Sequence, residues 1–159
     1  MKMKTKHTVG TLFVVTALAA SSLALAEENV PMSKLPAAVQ TTLKQIVGGG
    51  HLEGCDSEVA AGKTTYEADF KSKGSDCSVT VNEAGAVQEW SLDAPLNIVP
   101  PPVLGAALKA HPGGKIAESE IHNKDGQLFY VLEVRTGNDA YDVSLDAAGK
   151  VIADEKDTD

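Results

Sequence analysis

The sequence states one pattern twice, and nothing else in it limits the fold so strongly. Shifted by 64 positions, Gly49 to Trp90 falls without a gap on Gly113 to Asp154. Tyr66 meets Tyr130, Phe70 meets Val134, Val79 meets Val143, Val81 meets Leu145, Gly85 meets Gly149 and Val87 meets Val151. Two copies make a tandem pair, not a solenoid. Each copy has only about 60 residues, too few to bury much core alone, so the two are expected to share a core or an interface.

The first 26 residues read as an export signal. Lys2, Lys4 and Lys6 form a positive start, an apolar run follows from Val9 to Ala20, and Ala24-Leu25-Ala26 offers small residues for cleavage after Ala26. The run is short for a bilayer and no second one of about 18 residues follows. The predicted location is therefore periplasmic or secreted, with no membrane association after cleavage. Removing three lysines takes the formal net charge from -8 to near -11. Such a chain repels nucleic acid and anionic membrane and attracts basic partners or cations, although acidity also serves solubility alone.

Along the chain, Leu35, Val39, Leu43 and Ile46 recur on one helix face. Ser33 is a candidate N-cap, Pro36 suits the first turn, and Gly48-Gly49-Gly50 ends the helix. Strand-like runs follow at about 52–59 (weakly alternating), 66–71, 77–82 and 86–92, joined by glycine-bearing turns. Asp93 to Pro102 reads as a linker stiffened by Pro95 and Pro100-Pro101-Pro102. A second helix at about 103–110 precedes strands at about 115–122, 128–135, 141–146 and 151–153. The expected class is α+β, in two tandem repeats. Each is a helix packed on a three- to four-stranded antiparallel meander sheet, at 27–92 and, with a charged tail, at 103–159.

These residues resemble the PepSY-like domains of exported bacterial proteins, including those grouped with the β-lactamase-inhibitor-like fold. The likeness rests on Leu35-Pro36-Ala37-Ala38-Val39 with Leu43-Lys44 and on Tyr66-Glu67-Ala68. In the second copy it rests on Asp125-Gly126, Tyr130 to Val134, Tyr141-Asp142-Val143 and Asp146 to Val151. The resemblance implies a binding or inhibitory module and no catalytic set.

Chemistry was sought residue by residue. Cys55 and Cys77 are the only cysteines, and an exported chain favours a disulfide between them. In a sequential meander one strand separates them, placing their Cα atoms roughly 9–10 Å apart, beyond the reach of a bridge. Either the first strand starts after Cys55, or the strand order is not sequential, or the thiols are free. His51, His111 and His122 match no zinc spacing and read as surface-loop residues. Glu133, Asp142 and Asp146 share a polar face where a cation is the alternative ligand, but no EF-hand loop is present. GxSxG, HExxH and a phosphate loop are absent, and neither enzyme activity nor a cofactor is expected.

Trp90, counted by twos from Val87, falls on the polar face, where it is a candidate partner contact; the alternative packs it between the two lobes. The first functional expectation is thus a non-catalytic module. It binds an envelope protein, of unidentified kind, through Glu67, Asp69, Thr80, Trp90, Glu133, Arg135 and Asp142. Inhibition of an envelope or secreted enzyme is its sharper form, and binding of a small ligand or metal cation by the acidic face is the second expectation.

Overall fold

A computed structural model describes residues 28–157; the expected signal and its cleavage point lie outside the described residues. A two-residue strand, β1 (Glu28–Asn29), leads through a 3-10 turn at Met32–Lys34 into α1 (Ala37–Val47). Four strands follow: β2 (His51–Ala60), β3 (Lys63–Ser72), β4 (Ser75–Asn82) and β5 (Val87–Asp93). A second 3-10 turn at Leu96–Ile98 leads to α2 (Pro101–Ala110). Then come β6 (Lys115–Lys124), β7 (Gln127–Thr136), β8 (Asp139–Asp146) and β9 (Val151–Lys156).

The nine strands form one antiparallel sheet in sequence order, β1 to β9. This corrects the expectation of a separate sheet for each half. β5 and β6 exchange pairs from Glu89↔Lys124 to Asp93↔Glu120, so the ladder runs straight through the middle of the chain. A ladder satisfies backbone groups that two separate sheets would leave at exposed edges.

The 64-residue offset recurs in the element bounds. β6, β7 and β8 start and stop 64 positions after β2, β3 and β4. Register shifts do the same, between Leu52 and Gly54 and between Ile116 and Glu118. That bulge explains the weak alternation at 52–59, because an inserted residue breaks the period of two. Gly85 and Gly149 also correspond, at φ +77° and +85°. A Cβ on Gly85 would lie 2.8 Å from the Ala38 carbonyl oxygen, and one on Gly149 2.6 Å from that of Pro102. Each helix thus begins directly on a strand turn that only glycine permits.

Both helices cover the same face. Val39, Leu43 and Val47 of α1 bury against Cys55, Ala68, Phe70, Val79 and Val81. Val103 and Ala107 of α2 bury against Tyr130, Leu132, Val134, Val143 and Leu145. The pairs Cys77↔Leu92 and Leu92↔Ile121 carry that face continuously from one core to the other.

Two local expectations change. Ser33 is not the N-cap of α1: Pro36 holds that place without a side-chain cap, because Ser33 is taken into the 3-10 turn. The segment 93–102 is a packed lead-in and not a bare linker. Ala94 and Val99 are buried, Ala94 N–H donates to the Ser119 carbonyl at 2.9 Å, and Ser119 Oγ donates back to the Ala94 carbonyl at 2.6 Å. The segment before α1 repeats it, with Leu35 buried and Val30 N–H donating to the Cys55 carbonyl.

Candidate functional site

Both helices occupy one face; among the described residues no helix covers the other, termed the open face, and strand pairing sorts its side chains into rows. Directly paired residues point the same way. One row runs Asp56, Glu67, Thr80, Glu89, Lys124, Gln127; the next runs Asp69, Ser78, Ser91, His122, Phe129, Asp146. A third joins Glu118, Glu133, Asp142 and Glu155. The sequence-predicted Glu67, Asp69, Thr80, Glu133, Arg135 and Asp142 all lie on this face, three in each half.

Trp90 does not. It pairs with Val79 and Asn123 and packs, half-buried, on the first core, on the helix side. A bulge is the reason: Thr80 pairs with Glu89 but Val81 pairs with Val87, so one extra residue, Gln88, reverses the count. Counting from Val87 without that residue inverts every later position.

The disulfide is corrected as well. Cys55 and Cys77 are free thiols. Cys55 pairs with Ala68 and Cys77 with Phe70, so β3 stands between them. Burial is the chief cause that raises both thiol pKa values, which disfavours the reactive thiolate at each.

His122 sits at the centre of the open face. It lies on a strand and not in a surface loop, and it is only 2% exposed. Its Nε2 is 2.7 Å from Glu120 Oε2, its Nδ1 is 3.9 Å from Glu89 Oε1, and its ring stacks on Phe129 at 5.0 Å between centroids. The Nδ1 contact is an ion-pair separation too long for a hydrogen bond, and Nδ1 has no hydrogen-bond partner. Lys124 Nζ reaches Glu89 Oε2 at 3.1 Å. Burial alone would push the imidazole pKa down; the Glu120 and Glu89 carboxylates outweigh it and raise the pKa to about 9. His122 in turn is the main cause holding the Glu89 carboxyl below its ordinary value. The result is a buried imidazolium between two carboxylates, at the ladder that joins the halves.

Nearby, Val131 and Glu133 are buried on the same face, and Arg135 pairs with Glu133. Sequence reasoning missed Glu89, Glu120, His122 and Phe129. The alternation Glu118, Glu120, His122, Lys124 was available as a signal, but only the β5–β6 register brings Glu89 to it.

The other histidines are separate. His51 is exposed at the start of β2, and His111 stacks on Tyr141 at 4.0 Å and pairs with Asp154 at 2.8 Å. Asp146 accepts from the amides of Ala148 and Lys150, both at 2.9 Å, which ties it to the β8–β9 turn. Among the described residues no group of three His, Cys, Asp or Glu side chains is arranged to hold a metal. No helix among them is long and apolar enough to cross a membrane.

The fold is that of an α+β sheet protein with both helices on one face and an acidic opposite face. Residues 103–155 match the PepSY family model, the peptidase propeptide and YPEB domain. The second half of the chain is thus PepSY-like, as the sequence resemblance held. Solved structures extend the likeness over most of the chain. A BLIP-like protein from Bacteroides fragilis is 18% identical with a TM-score of 0.60, covering 82% of this chain and 89% of that one. DUF2874 family proteins from Bacteroides uniformis and Bacteroides ovatus are 23% and 20% identical, with TM-scores of 0.61 and 0.60. They cover 76% and 77% of this chain and 88% of each of theirs. At these identities the likeness is one of fold. The search of curated proteins found no match.

Proposed function

We propose that this chain is two copies of one PepSY-like unit fused into a single sheet. It serves in the cell envelope as a non-catalytic module that binds a basic protein partner on its open face. The observation that carries the reading is the placement of both helices on one side, so that among the described residues no helix covers the opposite side in either half. Glu67, Asp69, Thr80, Glu133, Arg135 and Asp142 line that surface, with Glu89, Glu120 and Phe129 at its centre. A fixed acidic surface steers a basic partner and sets its orientation. The BLIP-like neighbour supports trying an envelope or secreted enzyme as the partner, with inhibition as the activity measured.

The test is capture of envelope proteins by the purified chain and by two variants. Asp69→Lys/Asp142→Lys alters the open face, and Lys109→Glu alters the helix side. A stoichiometric partner retained by the second and lost by the first supports the reading. Loss in the helix-side variant alone, with the open-face variant still binding, contradicts it.

A further inference from the structure

The joint between β5 and β6 has counterparts at both ends of the sheet. By the 64-residue offset β9 stands where β5 does, and β2 where β6 does. Among the described residues the far edge of β9 pairs with no strand, and the far edge of β2 meets Glu28 and Asn29 of β1, opposite Ser57 and Asp56, and the Val30 N–H, which donates to the Cys55 carbonyl. No strand among the described residues pairs with Glu58 to Ala60 on that edge, and Val59 is 55% exposed. Carried over to two molecules, the β5–β6 register lays β9 of one copy antiparallel on β2 of another. Ala153 then faces Ala60, Asp154 faces Val59, Glu155 faces Glu58 and Asp157 faces Asp56. Such a contact is head-to-tail and does not close, so it would propagate.

Three differences from the internal joint oppose it. On the open face, Glu89 is matched by Lys124 and by the buried His122. On β2 the corresponding places hold Ala60 and Glu58, so the register sets Glu155 against Glu58 where the internal joint sets Ser91 against His122. Like charges directly opposite across a ladder are destabilising. On the helix side, Trp90 of the internal joint packs on the first core, with Val47 and Cys77. Its counterparts at the free edge are Asp154, His111 and Tyr141, bound into an ion pair and a ring stack. Lastly, β1 fills part of the β2 edge, where Asn29 Nδ2 donates to Asp56 Oδ1 at 3.1 Å.

We propose that β2 and β9 are a latent complementary pair of edges whose fitting partner is a second copy of this chain, and that Glu58 and Glu155 keep the copies apart. Natural sheets commonly charge their edges against strand addition. Here the internal repeat tells which strand is being refused and in which register.

Sedimentation velocity over a range of protein concentrations tests this. The wild type should be monomeric. Glu58→Lys and Glu155→Lys should each raise the self-association constant roughly tenfold or more by turning repulsion into attraction, and high salt should weaken the effect. Asp56→Lys/Glu58→Lys should associate further, since it also frees β1. The double variant Glu58→Lys/Glu155→Lys, with like charges opposed again, should return to the wild-type mass. The two single changes lie on opposite edges, so either one decides if the other fails to fold. Folded single variants that stay monomeric overturn the proposal, as does a double variant that associates as strongly as the singles.

Discussion

The two halves share the bounds of three strands, the bulges and the turns, yet exchange large and small residues between helix and sheet in their cores. In the first, α1 supplies the large residue Leu43 and β3 the small Ala68; in the second, α2 supplies the small Ala107 and β7 the large Leu132. These are the same two positions, 64 residues apart, and all four side chains are fully buried. The volume is conserved while its donor changes. Cores tolerate such exchange when the total volume and pattern persist. The repeat is therefore a repeat of backbone and pattern, with complementary packing inside.

That comparison can be broken most directly in the cores. Leu132→Ala and Leu43→Ala should each cost about 2–5 kcal/mol in denaturant unfolding, since both side chains are fully buried and their loss leaves a cavity. Leu43→Ala/Ala68→Leu, which writes the second half's solution into the first, should recover much of the loss. Recovery no better than the single variant would show that the halves do not share one packing frame.

The joint sharpens the comparison next. His122 corresponds to Glu58, so only the second half buries a cation there. Its folded pKa near 9 stands above its unfolded value of about 6.5. The stabilisation is therefore complete below pH 6.5 and is lost as pH rises through 9, a change of up to about 3 kcal/mol. His122→Gln should flatten that alkaline slope, and an NMR titration of the ring should give the midpoint.

The equivalent turns come third. Gly85→Ala and Gly149→Ala should each cost roughly 1–3 kcal/mol, from positive φ and from contact with the helix start. Similar thermal-midpoint losses in the two would confirm that both turns carry the same constraint. The smallest effect is expected at Cys55, whose counterpart Ser119 donates to the carbonyl of Ala94. Cys55→Ser has the Val30 carbonyl in the matching place and should shift stability by less than about 1 kcal/mol. Reductant should leave the unfolding midpoint unchanged, because the two thiols are not bridged.

Periodicity and turn chemistry made most of the fold legible. Alternation in 66–71 and 77–82 and the glycine-bearing turns gave the strands, and the spacing of Val39 and Leu43 gave the helix. What stayed hidden was set by single inserted residues and by non-local pairing. Gln88 at its bulge moved Trp90 to the helix face, and nothing in 87–92 marks which residue is the extra one. The β5–β6 ladder lies across a proline-rich stretch that reads as a linker, so Glu89 and His122 have no local reason to meet. The six outer-face residues were legible because none of them lies on β5, where the extra residue shifts the count, and because their own strands alternate regularly there.

The central claim is that one ladder runs through both halves and makes their open faces a single surface. Residue-resolved amide hydrogen exchange tests it most directly. The account predicts that the laddered amides within Glu89–Asp93 and Glu120–Lys124 are protected as strongly as those between β3 and β4. Exchange there as fast as at the outer edge of β9, with both cores still protected, would mean two separate lobes and would contradict it.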